Sequence, residues 1–152
     1  MLRLKLGGII FEFCFSFFAV LAIIFLYDHS GIGIIGLWVC LLHEMAHILV
    51  MGIFDSVPES VTFYATGIRI NERDIEGLSL PKQAAVIMAG SALNLLLFAA
   101  TLFFGGRFGV YLPVFGAANL AVGLLNLIPA GFFDGARLLK LLILRFSKPE
   151  NI

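Results

Sequence analysis

The sequence predicts an all-α polytopic membrane protein with about four transmembrane helices and a small β-hairpin between the second and third helices. The first observation behind this fold class is composition: 61% of the 152 residues are hydrophobic and 13% are charged. Soluble domains have about 45–50% apolar and about 25% charged residues. The second observation is that the apolar residues fall into runs of roughly 20, the length that a helix needs to cross a bilayer. A soluble domain of this size buries only about two-thirds of its unfolded surface, so the composition excludes a soluble domain, a disordered chain and a nucleic-acid binder.

Two long apolar runs come first. The run over residues 8–27 follows a short start that carries Arg3 and Lys5. A signal peptide has a similar start, but its apolar stretch is only about 7–15 residues long and ends at a small-residue cleavage site. This run is longer and no such site follows it, so we expect a retained membrane span. The second run covers residues 32–54 and predicts the second span.

A polar interval follows, over residues 55–82. Within it, residues 60–65 and 67–71 are short runs rich in β-branched and aromatic side chains, separated at Thr66 and Gly67, which predicts a β-hairpin. An open strand edge cannot face lipid, so this hairpin is expected at the cytoplasmic surface or in a cavity lined by protein. The alternative is an ordinary surface loop.

The C-terminal half contains two further runs. Residues 84–104 predict the third span, and residues 110–128 predict the fourth. The fourth run then meets Pro129, Gly131 and Gly135, which predict a break near residues 129–135. The chain resumes as an apolar segment over residues 136–146, which either completes the span or lies along the membrane interface. No repeat or linker interrupts the sequence, so a single domain over residues 1–152 is expected.

The basic residues predict the orientation, because cytoplasmic flanks of spans collect Lys and Arg. With four spans and a cytoplasmic N-terminus, nine of the ten basic residues lie on the cytoplasmic side and only Arg107 lies outside. The nine are Arg3, Lys5, Arg69, Arg73, Lys82, Arg137, Lys140, Arg145 and Lys148. Both termini are therefore expected in the cytoplasm.

Three ionisable residues lie together in the second run, in the pentapeptide His43-Glu44-Met45-Ala46-His47. Residues four apart share one face of a helix, so both imidazoles can bind one metal while Glu44 lies near the water. This is the H-E-x-x-H arrangement of zinc proteases. Zinc lowers the pKa of its water to about 7 and polarises the substrate carbonyl; the Glu accepts the proton and delivers it to the leaving amine. The alternative, a pair of core histidines, leaves these groups uncompensated in hydrocarbon, where ionisable residues are costly.

A zinc site with two His ligands needs a third protein ligand. His29 is disfavoured, because it lies roughly 20 Å from His43 along a helical path. Asp134 lies at the predicted break. At the helical rise of 1.5 Å per residue, both Asp134 and His43 are expected about 15 Å from the cytoplasmic face. We therefore expect Asp134 to be the third ligand; the alternative is an N-cap for the helix that follows it.

Three segments resemble the signatures of the site-2 protease family of intramembrane zinc metalloproteases. They are His43-Glu44-Met45-Ala46-His47 in a span, Ala89-Gly90-Ser91-Ala92-Leu93-Asn94 in the third run, and Asn126-Leu127-Ile128-Pro129 followed by Asp134-Gly135. The polar interval before Asn94 is similar to that of the stage IV sporulation FB branch. The resemblance implies one zinc per chain, bound by His43, His47 and Asp134, with Glu44 as the catalytic base.

The resemblance also implies how a substrate binds. Asn94 and Asn126 are expected to support the site, by orienting substrate or stabilising the transition state. The substrate is a transmembrane segment of a regulatory protein, cut near the cytoplasmic side of a bacterial cell membrane after pairing with a strand of the enzyme. The candidate strand residues are Val61, Phe63, Ile68 and Ile70. A membrane partner is expected to regulate the cleavage.

Two other functions are compatible with a small membrane protein. A catalytically silent scaffold of the same fold would bind partner helices, but it has no need of His43, Glu44, His47 and Asp134 together. A small transporter or channel would string polar residues across the membrane. The sequence instead places its ionisable residues at one depth, which favours the protease.

Overall fold

The computed structural model describes residues 1–65, 67–70, 75–104 and 109–147. The elements in these ranges are strands β1 (Leu2–Leu6) and β2 (Ile9–Phe13), helices α1 (Phe15–Tyr27) and α2 (Ile32–Ile53), strands β3 (Ser60–Tyr64) and β4 (Gly67–Ile70), and helices α3 (Leu80–Phe104), α4 (Tyr111–Asn126) and α5 (Asp134–Ser147). The expected mostly helical architecture with a small sheet is therefore present. Arg73, Arg107 and Lys148, which entered the charge argument, lie outside the described residues.

The helices differ in how well their lengths fit a membrane. α2 and α3, with 22 and 25 residues, are long and apolar enough to cross one. At 1.5 Å per residue they extend about 33 and about 38 Å, against a hydrocarbon core of about 30 Å. α1 and α4 are apolar as well, but they have only 13 and 16 residues.

The sheet has four strands in the order β1-β2-β3-β4. β1 pairs antiparallel with β2, β2 pairs parallel with β3, and β3 pairs antiparallel with β4. The hairpin predicted between the second and third helices corresponds to β3 and β4; its predicted end, Asn71, lies outside the described residues. The sheet is larger than predicted because the N-terminal segment joins it.

The expected first helix over residues 8–27 is wrong in its N-terminal part. Residues 9–13 form β2, and α1 begins at Phe15. Gly7 and Gly8 have positive φ angles of 57° and 92°, a backbone that glycine adopts readily, and they turn the chain between β1 and β2. The first residues of this apolar run form a strand because they pair with another strand about 50 positions away, as Phe13 pairs with Phe63. The composition of the run does not reveal such a distant partner.

The break after α4 is confirmed. α4 ends at Asn126 and α5 begins at Asp134, with Gly131 at a positive φ of 61° in the connection. α3 lies at the centre of the helix packing, against α2, α4 and α5. It approaches α4 closely at two glycines: a Cβ at Gly116 would collide with the side chain of Thr101, and a Cβ at Gly123 would lie only 3.2 Å from that of Asn94.

Candidate metal centre

Helix α2 supplies two imidazoles from successive turns of one face. His43 and His47 are 3% and 4% exposed, and their Nε2 atoms are 3.2 Å apart. Glu44, one position along the helix, lines the cavity in front of them. The four-residue spacing and the helical pitch therefore bring the two ring nitrogens to one point, as the motif predicts.

The first residue of α5 completes the group. Asp134 Oδ2 lies 3.1 Å from His43 Nε2 and 3.3 Å from His47 Nε2. Donor atoms that bind a tetrahedral metal at about 2.0–2.1 Å lie about 3.3 Å from one another. The observed triangle of two nitrogens and one oxygen fits a metal such as zinc, and the three residues lie close enough together to bind one.

Neighbouring groups fix which ring nitrogen faces the centre. His47 Nδ1 is 2.7 Å from the carbonyl oxygen of Val86, and His43 Nδ1 is 3.2 Å from Asn94 Oδ1. With Nδ1–H donating to these oxygens, both rings present an unprotonated Nε2 to the centre, the form that binds metal. Asn94 is fully buried, and its side-chain contact is with the ring of His43.

The second oxygen of Asp134 has its own partner. Arg137, three residues later on α5, donates from Nη1 to Asp134 Oδ1 at 3.2 Å. The carboxylate is thus held at both ends, with Oδ1 turned toward the guanidinium and Oδ2 toward the imidazoles. Both carboxylate oxygens of Asp134 thus contact side chains, those of the two histidines of α2 and of Arg137. The alternative prediction, a helix N-cap, is not needed to explain the position of this carboxylate.

Two glycines leave the space that the centre needs. A Cβ at Gly90 on α3 would lie 2.5 Å from His47 Nε2 and 2.6 Å from His43 Nε2, in the place of the bound atom or of the rings themselves. A Cβ at Gly135 would collide with the backbone of Leu127, so the Asp-Gly pair lets α5 begin directly against the preceding turn. Any side chain at Gly90 would block the centre.

A cavity of about 750 Å³ opens in front of His43 and Asp134, which both line it. Glu44, Cys40 and Asn126 line it from the helices, and residues Gly67, Ile68 and Ile70 line it from β4. Arg137, Lys140 and Glu76 add charged groups to its wall. The cavity therefore combines the metal-binding group, a carboxylate and the edge of the sheet.

The predicted substrate-pairing residues separate into two groups. Ile68 and Ile70 lie on β4, and among the described residues no strand pairs with the outer edge of β4. Val61 and Phe63 lie on β3, whose two edges are occupied by β2 and β4. Val61 and Phe63 therefore have no free backbone edge for a substrate strand. The sequence could not show this, since it did not predict that β2 pairs with β3.

Asn126 lines the cavity near the end of α4, and its Nδ2 donates to the carbonyl of Val122 at 3.0 Å. Three contributors were missed by the sequence reasoning: Arg137, Gly90 and the carbonyl of Val86. The position of Arg137 three residues after an expected ligand is a signal for the first, because residues three apart on a helix are neighbours. No sequence signal marks a backbone carbonyl as a histidine partner.

Comparison with solved structures finds a site-2 protease from Methanocaldococcus jannaschii, at a TM-score of 0.71 and 22% sequence identity, over 98% of this chain and 74% of that chain. No protein-family model and no curated protein matches the chain. At this identity the likeness concerns the arrangement of the backbone. Three short motifs carry the resemblance in the sequence, and the structural similarity extends over nearly the whole chain. The chain therefore has the fold of a site-2 protease.

Proposed function

We propose that the protein is an intramembrane zinc metalloendopeptidase that cleaves a transmembrane or membrane-associated regulatory protein. The observation that carries the proposal is the convergence of His43, His47 and Asp134, whose ligand atoms lie within 4.8 Å of one another, at the wall of a cavity that Glu44 also lines. A metal-binding group beside a carboxylate is the arrangement with which metalloproteases hydrolyse peptides.

Each residue then has a distinct task. His43, His47 and Asp134 would hold the zinc, which would supply Lewis acidity to activate water and polarise a carbonyl. Glu44 accepts the proton of the attacking water and returns it to the leaving amine. Asn94 and Val86 hold the imidazoles in the tautomer that leaves Nε2 available. Asn126 lines the cavity wall, and we assign it a contact with the substrate.

The substrate binds as a further strand. The outer edge of β4 borders the same cavity as Glu44 and Asp134. A helical substrate has no backbone groups free for pairing, so it unwinds locally and its exposed amides and carbonyls pair with those of β4. Ile68 and Ile70 present their backbone for this pairing, which holds the scissile bond in an extended form next to the metal.

The orientation follows from the charge distribution. With both termini in the cytoplasm, the Lys and Arg residues follow the positive-inside rule, and cleavage takes place near the cytoplasmic side of a bacterial cell membrane. Control of cleavage comes from a membrane partner. The stage IV sporulation FB branch stays a prediction from the sequence.

The test is the Glu44→Gln variant, expressed together with candidate membrane-protein substrates. Zinc content should stay at the wild-type level, while cleavage should fall by about 10²–10⁴-fold, the usual contribution of a general base. The matched control is Glu76→Gln, a second glutamate in the same cavity wall, which should keep both zinc and cleavage. Wild-type rates of cleavage by the Glu44→Gln variant would contradict the proposal.

A further inference from the structure

The four-stranded sheet has one wholly apolar face. Residues paired across neighbouring strands point to the same side of a sheet. The observed registers pair apolar residues with apolar residues across all four strands: Leu4 pairs with Phe11, Phe11 with Val61, and Val61 with Ile70. The full set on this face is Leu2, Leu4, Leu6, Ile9, Phe11, Phe13, Val61, Phe63, Ile68 and Ile70. The polar side chains of β1 and β2, by contrast, lie on the opposite face.

Protein covers this apolar face at one end only. At β3, Val61 is 1% and Phe63 9% exposed, and the ring of Phe63 packs on those of Phe13 and Phe17. At β1 the leucines are 51%, 48% and 64% exposed at positions 2, 4 and 6. A row of half-exposed leucines at the outer edge of a sheet is an apolar surface that needs a partner.

The opposite face of β1 carries the charges. Arg3 forms an ion pair with Glu12 of β2 at 2.8 Å, and Thr62 of β3 donates to the same carboxylate. Lys5 alternates with the leucines in the same way as Arg3. The strand therefore has leucines on one side and cations on the other, which is the distribution of a segment lying in a membrane interface.

Helix α1 gives the second, independent argument. Its 13 residues extend about 20 Å, about 10 Å short of the hydrocarbon core. The missing apolar length lies directly before α1, in β1 and β2. Phe15 and Phe18 at the start of α1 are 81% and 42% exposed. The ring of Phe18 packs against Phe13 of β2, which pairs with Leu2 of β1, so the leucine row adjoins the exposed start of this helix.

We propose that the leucine face of β1 is a membrane-docking surface, which inserts into the acyl boundary of the leaflet at the N-terminal end of α1. Arg3 and Lys5, on the other face, meet the headgroup region, where anionic lipids attract basic side chains. The hairpin thus supplies the apolar depth that α1 lacks. This inference requires α1 to lie in a bilayer but does not require proteolysis, so it stands or falls separately from the proposed enzymatic function.

The test places a single tryptophan on either face of β1. Trp38 is the one tryptophan of the chain, so the full-length Trp38→Phe protein contains no tryptophan. Leu4→Trp or Lys5→Trp is then introduced into this variant as the only tryptophan. The proteins are reconstituted in phosphatidylcholine and phosphatidylglycerol vesicles that contain lipids brominated along the acyl chain. We expect bromine to quench the fluorescence of the Leu4→Trp variant several-fold more than that of its neighbour, Lys5→Trp.

Two outcomes would overturn the proposal. Equal quenching of the two variants, at any level, would show that β1 has no lipid-facing side. Quenching of Leu4→Trp that falls as the protein-to-lipid ratio rises would show that a second copy of the chain covers the leucines. If Leu4→Trp disturbs folding, as seen by loss of the monodisperse protein in detergent, Leu6→Trp reports on the same face.

Discussion

At the scale of single residues, the candidate metal centre depends on groups that are not themselves ligands. His43 and His47 are each oriented through Nδ1, by Asn94 and by the carbonyl of Val86. Asp134 is oriented through Oδ1, by Arg137. Such contacts limit the rotation of the ligands before any metal arrives, which lowers the entropy cost of binding.

The contact between Arg137 and Asp134 leads to a prediction about zinc affinity. Without the guanidinium, Asp134 Oδ2 is no longer held toward the imidazoles, so Arg137→Ala should lower zinc affinity by about 10–100-fold, the usual effect of removing a partner of a metal ligand. Arg137→Lys should lose less, since it keeps a cation but not the planar donor geometry. Titration against a competing chelator measures the affinities.

Lys140 provides the control for that experiment. It lies on the same helix and in the same cavity wall, one turn beyond Arg137. Lys140→Ala should therefore leave the zinc affinity unchanged. A zinc affinity of Arg137→Ala equal to that of the wild type would show that Asp134 needs no such support.

At the scale of the elements, the start of α2 is fixed by one acidic side chain. Asp28 Oδ2 accepts hydrogen bonds from the amides of Gly33 and Ile34 at 2.7 and 3.3 Å, while Oδ1 accepts from the hydroxyl of Ser30 at 2.6 Å. The first amides of a helix have no partner within the helix, and a negative charge there interacts favourably with the helix dipole. The loop thereby sets where α2 begins, and hence the depth of His43 within it.

These bonds predict a pH dependence of stability. The hydroxyl of Ser30, together with the amides of Gly33, Ile34 and Ser30, lowers the pKa of Asp28 below its ordinary value. The stabilisation is therefore fully present above the ordinary value of about 3.9, and it is lost as the pH falls through the lowered folded-state value. In thermal unfolding, Asp28→Asn should have a lower Tm than the wild type at neutral pH, and the difference should shrink as the pH falls into this range. A difference that is independent of pH would contradict the role of the charge.

Elements were predicted to very different degrees. α2 and α3 followed from uninterrupted apolar runs, and the break before Asp134 followed from Pro129 and the nearby glycines, all of which are local signals. β2 could not be predicted, because its partner Ser60–Tyr64 lies about 50 residues away. Strand β2 ends at Phe13 and helix α1 begins at Phe15. Both elements are apolar, so the composition does not change at the boundary between them.

At the scale of the whole molecule, one centre joins elements from both halves of the chain. α2 provides two imidazoles and α5 provides the carboxylate, so a bound metal would link these two helices, while α3 provides Gly90, Asn94 and the Val86 carbonyl behind the ligands. The sequence predicted this convergence because His43 and Asp134 were expected at the same depth. The resemblance gave Asn94 a supporting role, but the sequence could not predict its contact with His43, since that contact depends on the rotation of α3 against α2.

Removal of the metal should therefore lower the stability of the fold. A ligand that binds only the folded state stabilises it by about 2.7 kcal/mol at 100 times its Kd, so chelation should lower the Tm of the wild type in detergent. Purified wild type should contain about one zinc per chain, the stoichiometry of a single three-residue site. His43→Ala and Asp134→Asn should contain less and respond little to the chelator. Zinc-free wild type, purified without chelators, would contradict the assignment of the centre.

The strand order β1-β2-β3-β4 has a further consequence for distance. Neighbouring strands lie about 4.8 Å apart, so three steps separate the leucine row at one border from the pairing edge at the other by about 14 Å. The hydrogen-bonded ladder keeps that spacing nearly constant, because strands slide or separate only by breaking several bonds at once. The sheet therefore holds the exposed leucines of β1 at a fixed distance from the outer strand β4, which lines the same cavity as Glu44.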